Sequence, residues 1–411
     1  MNPLHDADIQ VETPPHRWLR IAVVTETYPP EVNGVAGTIA RVVEGLRDRG
    51  HELQLVRPRQ HRDDVAMVEA GFAEMLMRGL PIPRYPELKM GLPAKRALLR
   101  RWSFERPDVV HLATEGPLGW SALQAARQLR LPVVSEFRTN FHAYSQHYGV
   151  GWLRHPIMAY LRKFHNQCTT TLVPSPDLLQ SLCAQRFERL AVVARGVDTQ
   201  RFRPERRSQA LRAAWGADEQ TAVLICVGRL AAEKNLQLLI DAYQRLRQLQ
   251  PKARLVLVGD GPQRDALQAR CPEAIFAGLR QGDELAAHYA SADLFVFPSQ
   301  TETFGNVVPE AMACGLPVVA FDYAAAAQLL RQGDQIRAAG ALVPLGDAEA
   351  FCRAVCDLGR VPAALRALGR EALDGARAMG WPRIVGELEA HYRSAMHTTT
   401  AQAGQPLLVT G

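Results

Sequence analysis

Glu302 and Glu310 stand eight positions apart in TETFGNVVPEAMACGLPVV (301–319). Between them lie Gly305 and Asn306, whose free backbone amides before a helix form a ready anion site. Acids beside an anion site repel its ligand unless they bind something else, and carboxylate oxygens accept hydrogen bonds from hydroxyls, such as those of a sugar. Two further stretches carry matching chemistry. LICVGRLAAEKN contains Gly228 followed by Arg229, with Lys234 five positions later, and VGDGP supplies Gly259, Asp260 and Gly261. Glycine after a strand lets backbone approach a ligand, and Arg229 and Lys234 supply fixed positive charge for a pyrophosphate. Each stretch alone has a plainer reading. Gly-Arg can be a turn with a surface charge, GDGP a tight turn, and Glu310 an acid favoured by the start of a helix. Their occurrence together, in order, favours one site.

The elements that must carry these residues are legible as apolar runs. IAVVTE (21–26) reads as a buried strand, followed by the glycine-bearing loop PPEVNGVAG, the amphipathic TIARVVEGLRDRG and the strand HELQLVRP. The alternation continues through PDVVHLA, LPVVSEF, TTTLVPS and LAVVARG, then restarts after the arginine-rich DTQRFRPERRSQALRAAWG with AVLICVGRL, ARLVLVGDGP, AIFAG, ADLFVFPS and LPVVAF. Strands alternating with helices predict parallel sheets covered on both faces. The expected fold is α/β, with two Rossmann-like doubly wound domains facing a cleft. The expected organisation is a loose leader (1–17), a first α/β domain (18–200), a second α/β domain (201–378), a last helix (379–396) and a loose tail (397–411). Ligands of such sheets bind outside the carboxyl ends of the strands, where Glu302, Arg229 and Gly259 all fall.

Composition narrows the classes. The chain has 411 residues, 47% of them hydrophobic, and a net charge of +6. It is large enough for two cores, and too weakly basic to argue for nucleic acid. Seven dispersed cysteines argue for a reducing compartment. No run approaches the 18 apolar residues of a membrane span, and the leader lacks a signal-peptide core. A cytoplasmic location, with peripheral contact at the inner membrane face left open, is the expectation.

GRLAAEKN, VGDGP, SADLFVFPSQTETFGNVVPEAMACGLPVVA and RGVDTQRFRP resemble the retaining glycosyltransferases of family four, which have the GT-B architecture; the likeness runs from Ile21 to Tyr392. The resemblance implies that Glu302 contacts the donor sugar, that the Phe304–Asn306 amides lie at sugar and diphosphate, that Glu310 holds the ribose, and that Arg229 and Lys234 hold the diphosphate. It further implies that the last helix crosses back to the first domain. Asn33, Gly34 and Val35 in PPEVNGVAG resemble the family's cleft-facing glycine loop, which is not a Walker loop because no Gly-Lys-Ser/Thr closes it.

DVVHLATEGPLG and VVSEFRTNFHAYSQHYG resemble a subgroup that includes GDP-mannose-dependent α-mannosyltransferases and glycolipid-forming enzymes. Many family members have a histidine before the threonine of the second stretch. This chain has Arg138, followed by Thr139 and Asn140, so a histidine contact is put in doubt; Arg138 can bind an anionic acceptor or form a salt bridge. His111 and His147 read as structural histidines. The basic and apolar residues of GLPAKRALLRRW and GWLRHPIMAYLRKF form either solvated and core faces or a contact with anionic lipid.

The expectation is hexosyl transfer from a nucleoside-diphosphate sugar to an acceptor hydroxyl, the acceptor being a sugar or lipid. No cofactor and no metal are expected. A sugar-nucleotide epimerase of the same fold and a non-catalytic nucleotide-sugar-binding subunit are the alternatives.

Overall fold

The computed structural model describes residues 18–403 apart from 32, 62, 83–84, 139–153 and 333–334. The leader 1–17, Thr139, Asn140 and His147 therefore lie outside the described residues.

In the first half, β1 (Arg20–Val24), α1 (Gly34–Asp48), β2 (Glu52–Pro58), β3 (Val68–Glu69) and β4 (Phe72–Met77) precede a hairpin, β5 (Gly79–Ile82) and β6 (Tyr85–Gly91). Then come α2 (Lys95–Phe104), β7 (Val109–Leu112), α3 (Pro117–Gln128), β8 (Val133–Glu136), α4 (Arg154–His165), β9 (Thr170–Val173), α5 (Pro176–Ala184) and β10 (Leu190–Val192). The main sheet has the order β10-β9-β8-β7-β1-β2-β4-β3, and every pairing in it is parallel except β3 with β4. Side chains alternate across it: Ile21 and Val23 join one core, Ala22 and Val24 the other. Burial on both faces is why these strands read as unbroken apolar runs.

The second half repeats the plan. After α6 (Gln209–Ala214) come β11 (Val223–Val227), α7 (Leu236–Leu249), β12 (Arg254–Val258), α8 (Arg264–Arg270), β13 (Ile275–Gly278), α9 (Gly282–Ser291) and β14 (Leu294–Phe297). α10 (Val307–Ala313), β15 (Val318–Phe321), α11 (Ala324–Leu330), a short hairpin β16 (Arg331–Gln332) and β17 (Gln335–Ile336), and β18 (Gly340–Val343) complete its sheet, in the order β13-β12-β11-β14-β15-β18. Strand order reverses beside β11 and β14, and beside β1 and β7 in the first sheet. Those are the points where open α/β sheets take ligands.

The arginine-rich junction is docked, not loose. Arg212, 1% exposed, donates to Ser291 O and Asp293 Oδ2, both at 2.9 Å, and Arg207 Nη2 donates to Asp293 Oδ1 at 3.0 Å. Three helices follow, α12 (Ala348–Gly359), α13 (Pro362–Arg377) and α14 (Trp381–Ala403). α14 leaves the second domain and packs its Val385, Leu388 and Tyr392 into the core under α1. Gly45 permits this approach, since a Cβ there would lie 2.7 Å from Val385 Cγ2. α14 also corrects the expected loose tail at 397: it continues to Ala403, with the hydroxyls of Thr398 and Thr399 each donating to a carbonyl one turn back at 3.0 Å.

Candidate active site

The loop after β14 stands at the reversal point of the second sheet and carries Glu302. Ser299 Oγ donates to Glu302 Oε1 at 2.8 Å, and Tyr323 OH donates to its carbonyl at 2.8 Å, so the loop is held from both sides. Lys234, from the short 3₁₀ turn Ala232–Lys234 after β11, donates to the same Oε1 and lies 5.7 Å above the Phe297 ring. The sequence reading gave Lys234 to phosphate and Glu302 to hydroxyls. The structure joins them directly, which is compatible with both tasks because an ammonium has three donors.

Phe304 is 1% exposed and anchors the loop in the core, leaving its amide rather than its ring for any ligand. Gly305 has φ +93°, a conformation that suits glycine. Asn306 precedes α10; its buried Oδ1 has no hydrogen-bond partner among the described residues, and its Nδ2 would be 3.9 Å from a Cβ on Gly34. The glycine loop of the first domain and the Glu302–Glu310 loop of the second therefore face each other across the cleft. Glu310 lies in the first turn of α10 and accepts from Tyr289 OH at 3.0 Å. Burial pushes its carboxyl up to about 7, against the lowering effect of that hydroxyl.

The remaining residues divide by task. Gly228 has open space around its Cα, and Arg229 beside it is exposed. Gly259 instead packs, because a Cβ there would lie 1.9 Å from Gly228 O. Asp260 Oδ1 accepts from Gly261 N at 2.7 Å, Asp260 O accepts from Leu230 N at 2.9 Å, and a Cβ on Gly261 would meet Leu230 O at 2.5 Å. The GDGP turn thus shapes the Gly228–Lys234 loop from behind. Asn33 caps α1, its Oδ1 accepting from Val35 N at 3.1 Å and Ala36 N at 2.8 Å, while Val35 packs against the core. The expected glycine loop therefore ends at Asn33: Gly34 and Val35 open α1 because the Asn33 side chain caps their turn, and Gly34 is exposed there.

Arg138 lies two residues after β8 and is 7% exposed. Its Nη2 pairs with Glu136, and its carbonyl accepts from Thr303 Oγ1 at 3.5 Å, tying it to the donor-side loop. Glu136 also lies 2.9 Å from His111 Nε2, and His111 Nδ1 contacts Tyr392 OH from α14. Burial pushes the Glu136 carboxyl up, yet Arg138, His111 and Arg195 together hold it down to about 2. Arg195 and Tyr392 escaped the sequence reading. Arg195 opens the quoted RGVDTQRFRP stretch but its type alone suggested no task, and only the strand order brings both residues to Arg138.

Among the described residues no group of three or more His, Cys, Asp and Glu could hold a metal ion, and the seven cysteines are free.

Two family models match the chain, "Glycosyltransferase Family 4" over residues 32–201 and "Glycosyl transferases group 1" over residues 221–360. A GDP-mannose-dependent alpha-mannosyltransferase of Mycobacterium tuberculosis is 36% identical over 94% of this chain and 99% of the relative. The chain belongs to glycosyltransferase family 4. An alpha-monoglucosyldiacylglycerol synthase of Streptococcus pneumoniae is 28% identical over 74% of this chain and 71% of its own length. The sucrose-phosphate synthase structure from Thermosynechococcus elongatus superposes with TM-score 0.72 at 19% identity, over 92% of this chain and 100% of that one. That likeness shows the GT-B fold. This glycosyltransferase moves a hexose from a nucleotide sugar to an acceptor. The relatives reported are transferases, so the epimerase and silent-subunit readings are not favoured.

Proposed function

We propose that the donor is GDP-mannose, that its sugar is transferred with retention to a lipid-borne acceptor hydroxyl, and that no metal takes part. The observation that carries the reading is the contact of Lys234 with Glu302 at the reversal point of the second sheet, on the loop whose Asn306 lies opposite Gly34. The donor assignment leans on the mannosyltransferase relative, which spans nearly the whole chain.

In this reading Glu302 accepts hydrogen bonds from the hexose hydroxyls, Glu310 from the ribose hydroxyls, and the Phe304–Asn306 amides meet the sugar and diphosphate. Arg229 and Lys234 neutralise the departing diphosphate. The acceptor oxygen bonds to the anomeric carbon on the face from which the phosphate oxygen leaves. The acceptor proton passes to that leaving oxygen, and GDP departs. Fixed charges aimed at the leaving group lower the barrier without reorganising. EDTA in excess is expected to leave turnover intact; loss that Mg²⁺ restores would sink the metal-free part.

The acceptor domain supports the lipid part. α2 buries Leu98 and Trp102 and exposes Lys95, Arg96 and Arg100, with Phe104 84% exposed at its end. Each basic residue near an anionic surface contributes about 1 kcal/mol, enough for loose peripheral attachment. No helix among the described residues is long and apolar enough to cross a membrane. We place the protein in the cytoplasm, working at the inner membrane face. Co-sedimentation with vesicles containing phosphatidylglycerol, but not with pure phosphatidylcholine, is the expected result, and Lys95→Glu with Arg100→Glu should abolish it.

A thermal-shift panel of GDP, UDP and ADP, with their sugars, tests the donor, since a ligand of the native state raises the melting point. GDP and GDP-mannose should give the largest shifts. A larger shift with UDP or ADP would replace the guanine assignment.

A further inference from the structure

We propose that Asp177, on the first domain, is a positioning residue: it holds the Glu302–Phe304 loop of the second domain in place for the donor sugar, acting through the Tyr323–Ala324 turn. The inference rests on the reading of Glu302 as the acid that meets that sugar. Asp177 lies in the first turn of α5 and is exposed. Ser175 caps that helix, its Oγ accepting from Leu178 N at 3.4 Å, so Asp177 is not needed as the cap. Its Oδ2 instead reaches the second domain and accepts from Ala324 N at 3.3 Å. Among the described residues the Asp177 side chain makes no other hydrogen bond or ion pair. α5 and α11 pack against each other at this point.

The far side of this contact is strained. Ala324 is 2% exposed and has φ +52°, a left-handed conformation that costs free energy in any residue with a Cβ. Such strain persists where the surroundings fix it, and it gathers at working sites. Three bonds fix this turn. Ala324 begins α11, so its amide has no intrahelical acceptor, and Asp177 supplies one that carries a full negative charge. Ala325 N donates to Phe304 O at 2.9 Å, and Tyr323 OH donates to Glu302 O at 2.8 Å. Burial, then the charges of Glu302 and Asp177, push the Tyr323 phenol up, so its hydroxyl keeps the proton it donates. Glu302 and Phe304 are thus gripped by a turn that Asp177 anchors. Thr303, between them, is tied to the first domain through the Arg138 carbonyl. Removing the anchor leaves a buried amide without its acceptor and loosens the loop that presents Glu302, although Asp177 stands on the opposite domain from the donor residues.

The test follows wild type, Asp177→Ala and Asp177→Asn by hydrogen–deuterium exchange and by GDP release from GDP-mannose with water as the acceptor. In Asp177→Ala the amides of 301–306 should exchange about tenfold faster and kcat should fall about tenfold, the worth of one charge-assisted hydrogen bond, while KM and GDP affinity stay within about twofold. Asp177→Asn keeps an acceptor oxygen and should recover part of both. Tyr323→Phe cuts the same path farther along, so in the double variant with Asp177→Ala the two kcat losses should combine to less than their product. Exchange in 301–306 unchanged from wild type overturns the proposal, because a purely local role of Asp177 speeds exchange in 176–184 alone. Faster exchange in 301–306 with kcat unchanged, or losses that multiply in the double variant, overturns it too. If the wild type releases no GDP, the donor assignment fails instead, and the exchange of 301–306 still decides the coupling.

Discussion

Lys234 and Glu302 are the centre of the site at the residue scale, and their contact divides the work expected of each. Lys234 gains most when negative charge grows on the leaving phosphate, so Lys234→Ala should lower kcat by about 100- to 1,000-fold with a smaller change in KM. Steady-state kinetics on GDP-mannose checks this, and an effect confined to KM would mean uniform binding instead. Glu310 makes a prediction about pH. Its carboxyl is raised from 4.5 to about 7 by burial. A folded pKa above the unfolded one contributes stability that is complete below about 4.5 and is lost as pH rises through 7. Glu310→Gln removes the cost of the buried charge, so the variant should be more stable than wild type at pH 8, by about 1–2 kcal/mol, and equal to it near pH 4. The same change should weaken GDP binding at pH 8, because an amide replaces one acceptor oxygen with a donor. Denaturant unfolding at both pH values and GDP titration read the two effects. Equal GDP affinity would count against the ribose assignment.

Helix α14 is the element with most at stake, because it closes the first domain's core, supplies Tyr392 to His111 and walls the cavity beside Arg138. Its seat depends on Gly45. Gly45→Ala puts a methyl into Val385 and should destabilise by about 1–3 kcal/mol, the usual cost of overpacking. Val385→Ala in the same chain should recover much of the loss, a coupling that a double-mutant cycle measures. Elements differed in how legible they were. The buried strands and the body of α1 were plain from apolar runs and amphipathic spacing, whereas its first turn, Gly34–Gly37, read as loop because of its two glycines. The end of α14 was not, because Thr398 and Thr399 are poor helix formers, yet the helix runs through them to Ala403. The hairpin Gly79–Gly91 was also missed. Its prolines, Pro81 and Pro86, argue against a strand in a sheet interior, yet they are tolerated in an isolated two-stranded ribbon.

For the whole molecule, two doubly wound sheets place their reversal points on either side of one cleft, and the chemistry is shared across it. The donor half was readable because glycines, prolines and charges punctuate its strand ends in a specific order. The contact of Lys234 with Glu302 spans 68 residues and depends on β11 lying beside β14, an adjacency that no local pattern encodes. The Arg138–Arg195 pair was invisible for the same reason, since β8 and β10 are brought near only by the sheet order. Arg138 itself stood out solely as a departure from a family pattern. The most direct measurement of the central claim is proton NMR of GDP-mannose incubated with the enzyme, following both GDP release and the anomer first formed. The account predicts GDP release with the α-mannosyl product appearing first, whether the acceptor is lipid or water. A β product, or saturable binding with no GDP release in the presence of a glycolipid acceptor, would contradict it.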